Sequence, residues 1–259
     1  MNRQETQSVP MRRETDWPIW TPLIAAILAS LVIRGFDLDR RISGLNYDSV
    51  NHVWPFERAE PWLSFYRYAT YPPLLLGIGG LIVFVFAGVF WPSLEPLRLK
   101  RLRQNGLFLG LLLAIGPGLL VNGGLKSLWG RPRPVQCMDF DGAMTFCQVG
   151  EFSGETFPNS SFPSGHASIA FFVMGPAFLI DRNQRRLRNK WLFGGIAFGI
   201  AMGSTRVLQG GHFVSDVLWA GVIVYLVGAI LARIMFHDGN HYSAGVGKLP
   251  ISPESKAAA

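Results

Sequence analysis

Long apolar runs without charged residues alternate with short polar segments along the chain. A helix needs about 17–25 such residues to cross a membrane. Three runs are long enough, and they are 17–33, 68–94 and 105–125. Three later runs are shorter, and they are 167–180, 191–205 and 217–232. Each shorter run could be a buried core helix, but extension across the neighbouring His166, Arg206 and Asp216 restores spanning length. The pattern therefore predicts an all-α fold, a bundle of six transmembrane helices.

The first run has two interpretations. It follows Arg12 and Arg13, as the apolar part of a cleavable signal peptide would. However, it ends in Arg34 and shows no convincing A-x-A cleavage site, so we interpret it as a retained helix. The prediction is then a cytoplasmic segment 1–16, a transmembrane domain 17–236 and a tail 237–259. The Gly, Ser, Pro and Ala residues of the tail are typical of disorder.

The segment 36–67, between the first two predicted helices, mixes aromatic and charged residues. Its aromatic residues include Trp54, Phe56, Trp62, Phe65 and Tyr66. This mixture suits a segment that lies in the membrane interface. Such a segment could serve as an aromatic belt that anchors helix ends, or it could give lipids access to the protein.

Composition and charge agree with a membrane protein. Only 16% of the residues are charged, against about 25% in soluble domains. The net charge of +7 would suggest nucleic acid binding in a soluble protein. With six spans, however, most of the 24 basic residues fall on the side of the termini, which places both termini in the cytoplasm. The charge thus reports orientation, and we expect the inner membrane of a bacterium and no nucleic acid partner.

Three groups of polar residues fall at the outer ends of helices three to six. They are Lys126 with Arg133, then Ser164, Gly165 and His166, and finally Arg206, His212 and Asp216. The six-span arrangement puts all three groups on one face of the membrane. We therefore expect them to form one site.

The cations of this set suit a phosphoryl group. Lys126, Arg133 and Arg206 match its charge, and arginine can bind its oxygens through two hydrogen bonds. Ser164 and Gly165 precede a predicted helix, whose first N–H groups favour an anion. Gly165 also lets the backbone approach closely because it lacks a Cβ.

The histidines suit nucleophilic and acid catalysis. His212 and Asp216 are four residues apart, so on a helical turn they would share a face. A carboxylate on one imidazole nitrogen leaves the other free to attack as a nucleophile. His166 could then protonate the departing oxygen.

Each of these residues also has a structural interpretation. Helix three could end in flanks that reach the interface, namely Lys126, Arg131 and Arg133. Ser164 could be a helix N-cap, and either histidine could be a solvated or structural residue. Their coincidence on one membrane face favours the functional interpretation. In addition, an ionisable residue such as Asp216 within a span is costly and marks a functional candidate.

These three groups resemble the signature motifs of the type 2 phosphatidic acid phosphatase superfamily. The matching elements are Lys126-x6-Arg133-Pro134, Pro163-Ser164-Gly165-His166 and Arg206-x5-His212-x3-Asp216. Order and spacing match over a motif core at 126–216. One position differs, because the third motif usually begins Ser-Arg and this chain has Thr205-Arg206.

The resemblance implies an integral membrane phosphatase that needs no metal or other cofactor. His212 would form a phosphohistidine with Asp216 orienting it, and His166 would act as the acid and then help activate water. The phosphoryl oxygens would be held by Lys126, Arg133, Ser164, Gly165 and Arg206. The implied substrate is a lipid phosphate or diphosphate at the outer face, such as lipid A, undecaprenyl diphosphate, phosphatidylglycerol phosphate or phosphatidate.

Two other functions stay open at this point. A lipid phosphotransferase would pass the same phosphoryl group to a lipid or sugar acceptor. A lipid transporter or binding protein would use the cations alone, but it would not need two histidines. The lipid bilayer and the lipid substrate are the expected partners, and no obligate protein partner is evident.

The two cysteines, Cys137 and Cys147, fall in the predicted outer loop between the first two motifs. An oxidising compartment permits a disulfide there. Two unpaired thiols are the alternative. We expect the disulfide bond, which would hold the loop that joins Arg133 to His166.

Overall fold

The structure, a computed structural model, describes residues 16–153 and 160–236. Within these ranges the fold is all-α, as predicted, and the β pairing they contain amounts to two isolated bridges. The predicted segment 1–16, apart from its last residue, and the predicted tail 237–259 lie outside the described residues.

Nine α-helices occur in the described part of the chain. They are α1 (Trp20–Gly35), α2 (Leu38–Gly44), α3 (Trp62–Tyr68), α4 (Tyr71–Phe90), α5 (Pro96–Leu113), α6 (Lys126–Trp129), α7 (Gly165–Phe171), α8 (Arg185–Leu208) and α9 (Val214–Phe236). A π-helical stretch, Ala114–Leu125, joins α5 to α6, and a 3₁₀ stretch, Phe172–Leu179, continues α7.

Four stretches of the described residues are long and apolar enough to cross a membrane. They are Trp62–Phe90, Pro96–Gln136, Arg182–Leu208 and Val214–Phe236. The pair α1 and α2 passes the same test together, with a bend of 65° between the two helices, and would make a fifth. The apolar stretch Gly165–Leu179 is shorter. Length and composition thus support four or five spans, and the sixth predicted span stays a prediction.

The outer surfaces of these helices are apolar. On α1, Leu28 and Leu31 are more than half exposed, and on α4, Leu75 is 70% and Val89 73% exposed. Soluble monomers rarely expose contiguous apolar surface of this kind. Lipid is the solvent that this surface fits.

The core lies where α5, α7 with its continuation, and α9 meet. Phe108 and Leu112 of α5 pack there with Phe172, Phe178 and Val224. All five side chains are fully buried. The helices α7 and α9 begin, and α8 ends, at the end of the bundle where the predicted site residues His166, Asp216 and Arg206 lie.

The π-helical stretch sets the position of Lys126. Pro117 lies inside it, and a proline has no N–H to donate to the helical ladder. The Asn122 side chain donates to the Pro117 carbonyl oxygen at 2.7 Å. π-Helical turns of this kind often occur at functional sites, and here Lys126 follows directly after the stretch.

The segment 36–67 packs against the protein through Trp54. This indole is buried in a cluster with Phe140 and Phe213. It also covers the turn after α8, where Gly210 has a φ of +65° and a Cβ would lie 2.5 Å from the ring. Trp54 therefore contacts protein, whereas the predicted position of the segment in the membrane interface stays a prediction.

Candidate active site

His212 and Asp216 are in contact at the end of the bundle where α8 and α9 meet. The Nδ1 of His212 lies 3.6 Å from the Oδ2 of Asp216. His212 precedes α9, so the pair does not share a helical face as predicted. Instead, Asp216 turns back at the start of the helix, and its Oδ2 accepts the backbone N–H of Phe213 at 2.8 Å.

Both members of this pair are shielded from solvent. His212 is 1% exposed and Asp216 is 0% exposed. Burial lowers the pKa of His212 to about 4, and the neighbouring carboxylate opposes this shift only in part. A neutral imidazole whose Nδ1 faces a carboxylate has its Nε2 free to act as a nucleophile.

The cations of the site lie close to His166. This imidazole is within electrostatic range of Arg206, Lys126 and Arg133, and of His212. Lys126 reaches the start of α7, where its Nζ lies 3.2 Å from the position that a Cβ on Gly165 would take. The structure therefore brings the three predicted cations and both predicted histidines together.

Tyr66 of α3, which we did not predict as a site residue, joins two members of the site. Its ring centroid lies 4.6 Å from that of His166 and 4.3 Å from the guanidinium carbon of Arg206. An arginine over an aromatic face is stabilised by a cation–π interaction. Tyr66 thus fixes α3 to the site. The aromatic composition of the segment 36–67 was the feature of the sequence that could have indicated such a contact.

Arg206 has one donor that faces no acceptor in the part of the chain that the structure describes. Its Nη1 donates to the Oε1 of Gln209 at 2.6 Å. Its Nε is buried and has no hydrogen-bond partner among the described residues. Buried donors normally have a partner, and a phosphoryl oxygen would provide one.

Ser164 and Gly165 shape the start of α7. Ser164 is the N-cap, and its Oγ accepts the Ala167 N–H at 3.4 Å, which is the structural role considered above. Its own N–H donates to the Asp216 carbonyl oxygen at 3.1 Å, which ties α7 to α9. A Cβ on Gly165 would lie 2.4 Å from the Oδ1 of Asn122, so a larger residue at this position would have to displace that side chain.

A buried arginine that we did not predict as a site residue holds Asp216 from the other side. Arg131 is 0% exposed, and its Nη1 lies 2.6 Å from the Oδ1 of Asp216. Its Nη2 lies 2.8 Å from the Oδ2 of Asp39 on α2. The sequence pattern indicates Arg131 only as a flank of helix three. A buried charge needs a buried partner, but nothing in the sequence pairs positions 39, 131 and 216.

Two serines complete this buried network. The Ser215 hydroxyl accepts from the Nη1 of Arg131 at 2.7 Å and donates to Asp39 at 2.5 Å. The Ser161 hydroxyl donates to the Oδ2 of Asp216. Every polar atom of the Asp216 carboxylate is thus engaged, which fixes its orientation towards His212.

The expected disulfide bond is absent from the structure, in which Cys137 and Cys147 are both thiols. The two sulfurs face different carbonyl oxygens, those of Arg133 and Thr145. Burial raises the pKa of Cys137 to about 12, which keeps this thiol protonated. The loop is held instead by Arg131, whose Nε donates to the Cys147 carbonyl oxygen at 3.0 Å.

No group of three or more His, Cys, Asp or Glu residues within 16–153 and 160–236 is placed to hold a metal ion. The cations, the two histidines and the buried carboxylate are groups that suit the binding and transfer of a phosphoryl group. On a bundle of apolar helices, such a site defines a membrane phosphatase.

Comparison with known families agrees with this class. The model of the PAP2 superfamily matches residues 107–239, which include all three motifs. The chain belongs to the PAP2 superfamily, and it is a phosphatase of the membrane lipid class.

Curated relatives carry the name lipid A 4'-phosphatase. The protein from Francisella tularensis subsp. novicida is 31% identical over 201 residues, which are 77% of this chain and 87% of that protein. The protein from Rhizobium leguminosarum is 36% identical over 144 residues, 54% of this chain and 60% of its own length. The protein from Rhizobium etli is 38% identical over 144 residues, 54% of each chain. No solved structure matches this chain.

Proposed function

We propose that the protein removes the 4'-phosphate of lipid A through a phosphohistidine on His212. The single observation that carries this proposal is the buried contact between His212 and Asp216 beside three cations. The substrate is taken from the relatives, three of which are named lipid A 4'-phosphatase.

In the first step, the Nε2 of His212 attacks phosphorus. The P–N bond forms while the bond to the sugar oxygen breaks, and His166 donates a proton to that oxygen. Lys126, Arg133 and Arg206 bind the phosphoryl oxygens, and their positive charge stabilises the negative charge of the transition state. The phosphate dianion favours the protonated form of His166 before the reaction.

In the second step, water replaces His212 on phosphorus. His166 has lost its proton and can now accept one from the attacking water. The P–N bond breaks, inorganic phosphate leaves and His212 returns to its neutral form. Asp216, oriented by Arg131, stabilises the positive charge that His212 carries in the intermediate.

We further propose a site at the outer face of a bacterial inner membrane and a bundle of six spans. In this arrangement Gly165–Leu179 is the fourth span, and both termini are cytoplasmic. The excess of basic residues on the side of the termini supports this orientation. This orientation is tested by adding a protease or a thiol-labelling reagent from the periplasmic side. In the proposed orientation, the segment around Cys147 is accessible from that side and the α4–α5 turn is not.

The proposed reaction is tested by phosphate release from a panel of lipid phosphates and diphosphates, with purified protein in detergent. We expect release from lipid A, none from His212→Ala, and a ³²P-labelled phosphohistidine that is stable to base and labile to acid. Undiminished turnover by His212→Ala would refute the proposal. Activity should also survive EDTA, and a loss restored by Mg²⁺ would refute the metal-independent mechanism. Transfer of the label to an added lipid or sugar would identify a phosphotransferase instead.

A further inference from the structure

A cavity of about 480 Å³ opens beside the phosphate-binding arginines. Arg133 and Arg206 form one side of it. The other side is formed by the segment that precedes and includes α3, through Glu57, Arg58 and Arg67. The residues 57–67 lie outside the part of the chain that the family model matches.

The wall of this cavity carries more positive charge than one phosphoryl group needs. Lys126, Arg133 and Arg206 already match a phosphate dianion. Arg58 and Arg67 add two guanidinium groups, against the single carboxylate of Glu57 among the described residues of the wall. Within the described ranges, the guanidinium groups of Arg58 and Arg67 make no hydrogen bond or ion pair with another residue.

The wall that carries Arg58 and Arg67 is fixed to the catalytic groups. Tyr66, adjacent to Arg67, contacts both Arg206 and His166 as described above. Gln209, which accepts from Arg206, donates its Nε2 to the Glu57 carbonyl oxygen at 3.4 Å. The two additional arginines therefore have a defined place relative to the phosphate that is removed.

We propose that Arg58 and Arg67 form a second anion subsite, which binds a negatively charged group elsewhere on the same lipid headgroup. On a phosphorylated disaccharide lipid, that group is the phosphate of the other sugar. The proposal rests on the function proposed above. It assigns to the enzyme a preference for headgroups with two phosphates over headgroups with one.

The subsite is tested by the ratio of kcat/KM for two lipids in neutral detergent. One is lipid A with phosphates at both ends, and the other is lipid A with the 4'-phosphate alone. We expect the ratio to be about tenfold or more in the wild type, since charge-assisted hydrogen bonds are strong. The double variant Arg58→Ala/Arg67→Ala should bring it close to one.

Two controls separate charge from fold. The double variant Arg58→Lys/Arg67→Lys keeps the charge and should keep most of the ratio. Arg41→Ala removes an exposed arginine of α2 outside the cavity and should leave the ratio unchanged. An unchanged ratio in Arg58→Ala/Arg67→Ala, or a wild-type ratio near one, would overturn the subsite. Failure of the proposed function would appear differently, as no phosphate release from either lipid by the wild type.

A neighbouring anionic lipid offers the same phosphate chemistry. Adding phosphatidylglycerol to the micelles distinguishes this source from the substrate's own second phosphate. If the second phosphate binds, the added lipid lowers the ratio only by competition. If phosphatidylglycerol instead raises the rate on the monophosphorylated lipid in the wild type and not in Arg58→Ala/Arg67→Ala, the subsite binds a bulk lipid and the proposal is wrong.

Discussion

Arg131 and Asp216 form a buried ion pair, with 2.6 Å between Nη1 and Oδ1 and no solvent exposure of either side chain. The other oxygen of Asp216 faces His212. Because Asp39 binds the second guanidinium nitrogen of Arg131, negative and positive charges alternate from Asp39 of α2 through Arg131 to Asp216 beside His212. The position of His212 thus depends on residues well outside its own motif.

Arg131→Lys should lower kcat by about tenfold or more with little change in KM, because it loosens Asp216 without removing a phosphate ligand. Lysine retains the charge but cannot bind Asp39 and Asp216 in the same planar geometry. Steady-state kinetics on lipid A check this. Arg40→Lys, at a half-exposed pair with Asp37, is the matched control and should leave kcat unchanged. A rise in KM alone would show that Arg131 acts on substrate binding.

Removal of the guanidinium should also destabilise the protein. Arg131→Met leaves the carboxylates of Asp39 and Asp216 without their buried partner, and breaking such a pair costs about 3–5 kcal/mol. Thermal unfolding in detergent should therefore occur at a clearly lower temperature. The combined change Arg131→Met/Asp39→Asn should recover part of this loss, because it removes one of the two uncompensated charges. No recovery would mean that Asp39 is not the partner.

The dependence of the rate on pH should reflect the neutral state of His212. Its pKa is lowered to about 4 by burial, so the reactive form persists as the pH falls and is lost only near pH 4. At pH 5 about nine-tenths of His212 would be neutral, against about one in thirty for an ordinary histidine. With an aryl phosphate, whose leaving group needs no proton, kcat at pH 5 should stay above half its value at pH 7. A midpoint of the pH–rate profile near pH 6.5 would contradict this prediction. The control His52→Ala, which changes an exposed histidine, should leave the profile unchanged.

His166→Ala should affect poor leaving groups more than good ones. We expect a loss of about 100-fold or more with alkyl phosphates and clearly less with aryl phosphates, because only the former need a proton as they depart. Rates for a series of leaving groups check this. Equal losses across the series would assign His166 to phosphate binding alone.

Gly165→Ala should reduce activity by displacing Asn122 and Lys126. The added Cβ would lie 2.4 Å from the Asn122 Oδ1 and 3.2 Å from the Lys126 Nζ. Since Lys126 is a phosphate ligand in the proposed mechanism, KM should rise along with a fall in kcat. Gly194→Ala on α8 adds the same methyl group where nothing lies within 4 Å and should be neutral. Normal kinetics of Gly165→Ala would show that Lys126 is not needed in its present position.

Local sequence was sufficient to select the residues that we propose act directly on phosphate. Lys126, Arg133, Arg206 and the two histidines stand out because charged and nucleophilic residues are costly beside apolar spans. Their spacing within each motif also limits how they can be arranged. The cysteines show the limit of such reasoning, since proximity in sequence did not make Cys137 and Cys147 bond partners.

By itself, the sequence determined the helical class, the apolar spans and the candidate set of catalytic residues, because these depend on residue type and local period. Only the tertiary structure decided what holds that set in place. Arg131 joins Asp39 to Asp216 across 92 and 85 positions of the chain, and Tyr66 reaches His166 and Arg206 from a different helix. Such contacts depend on which helices pack together. A buried charge pairs with the opposite charge that lies near it in space, and local sequence patterns do not encode this distance.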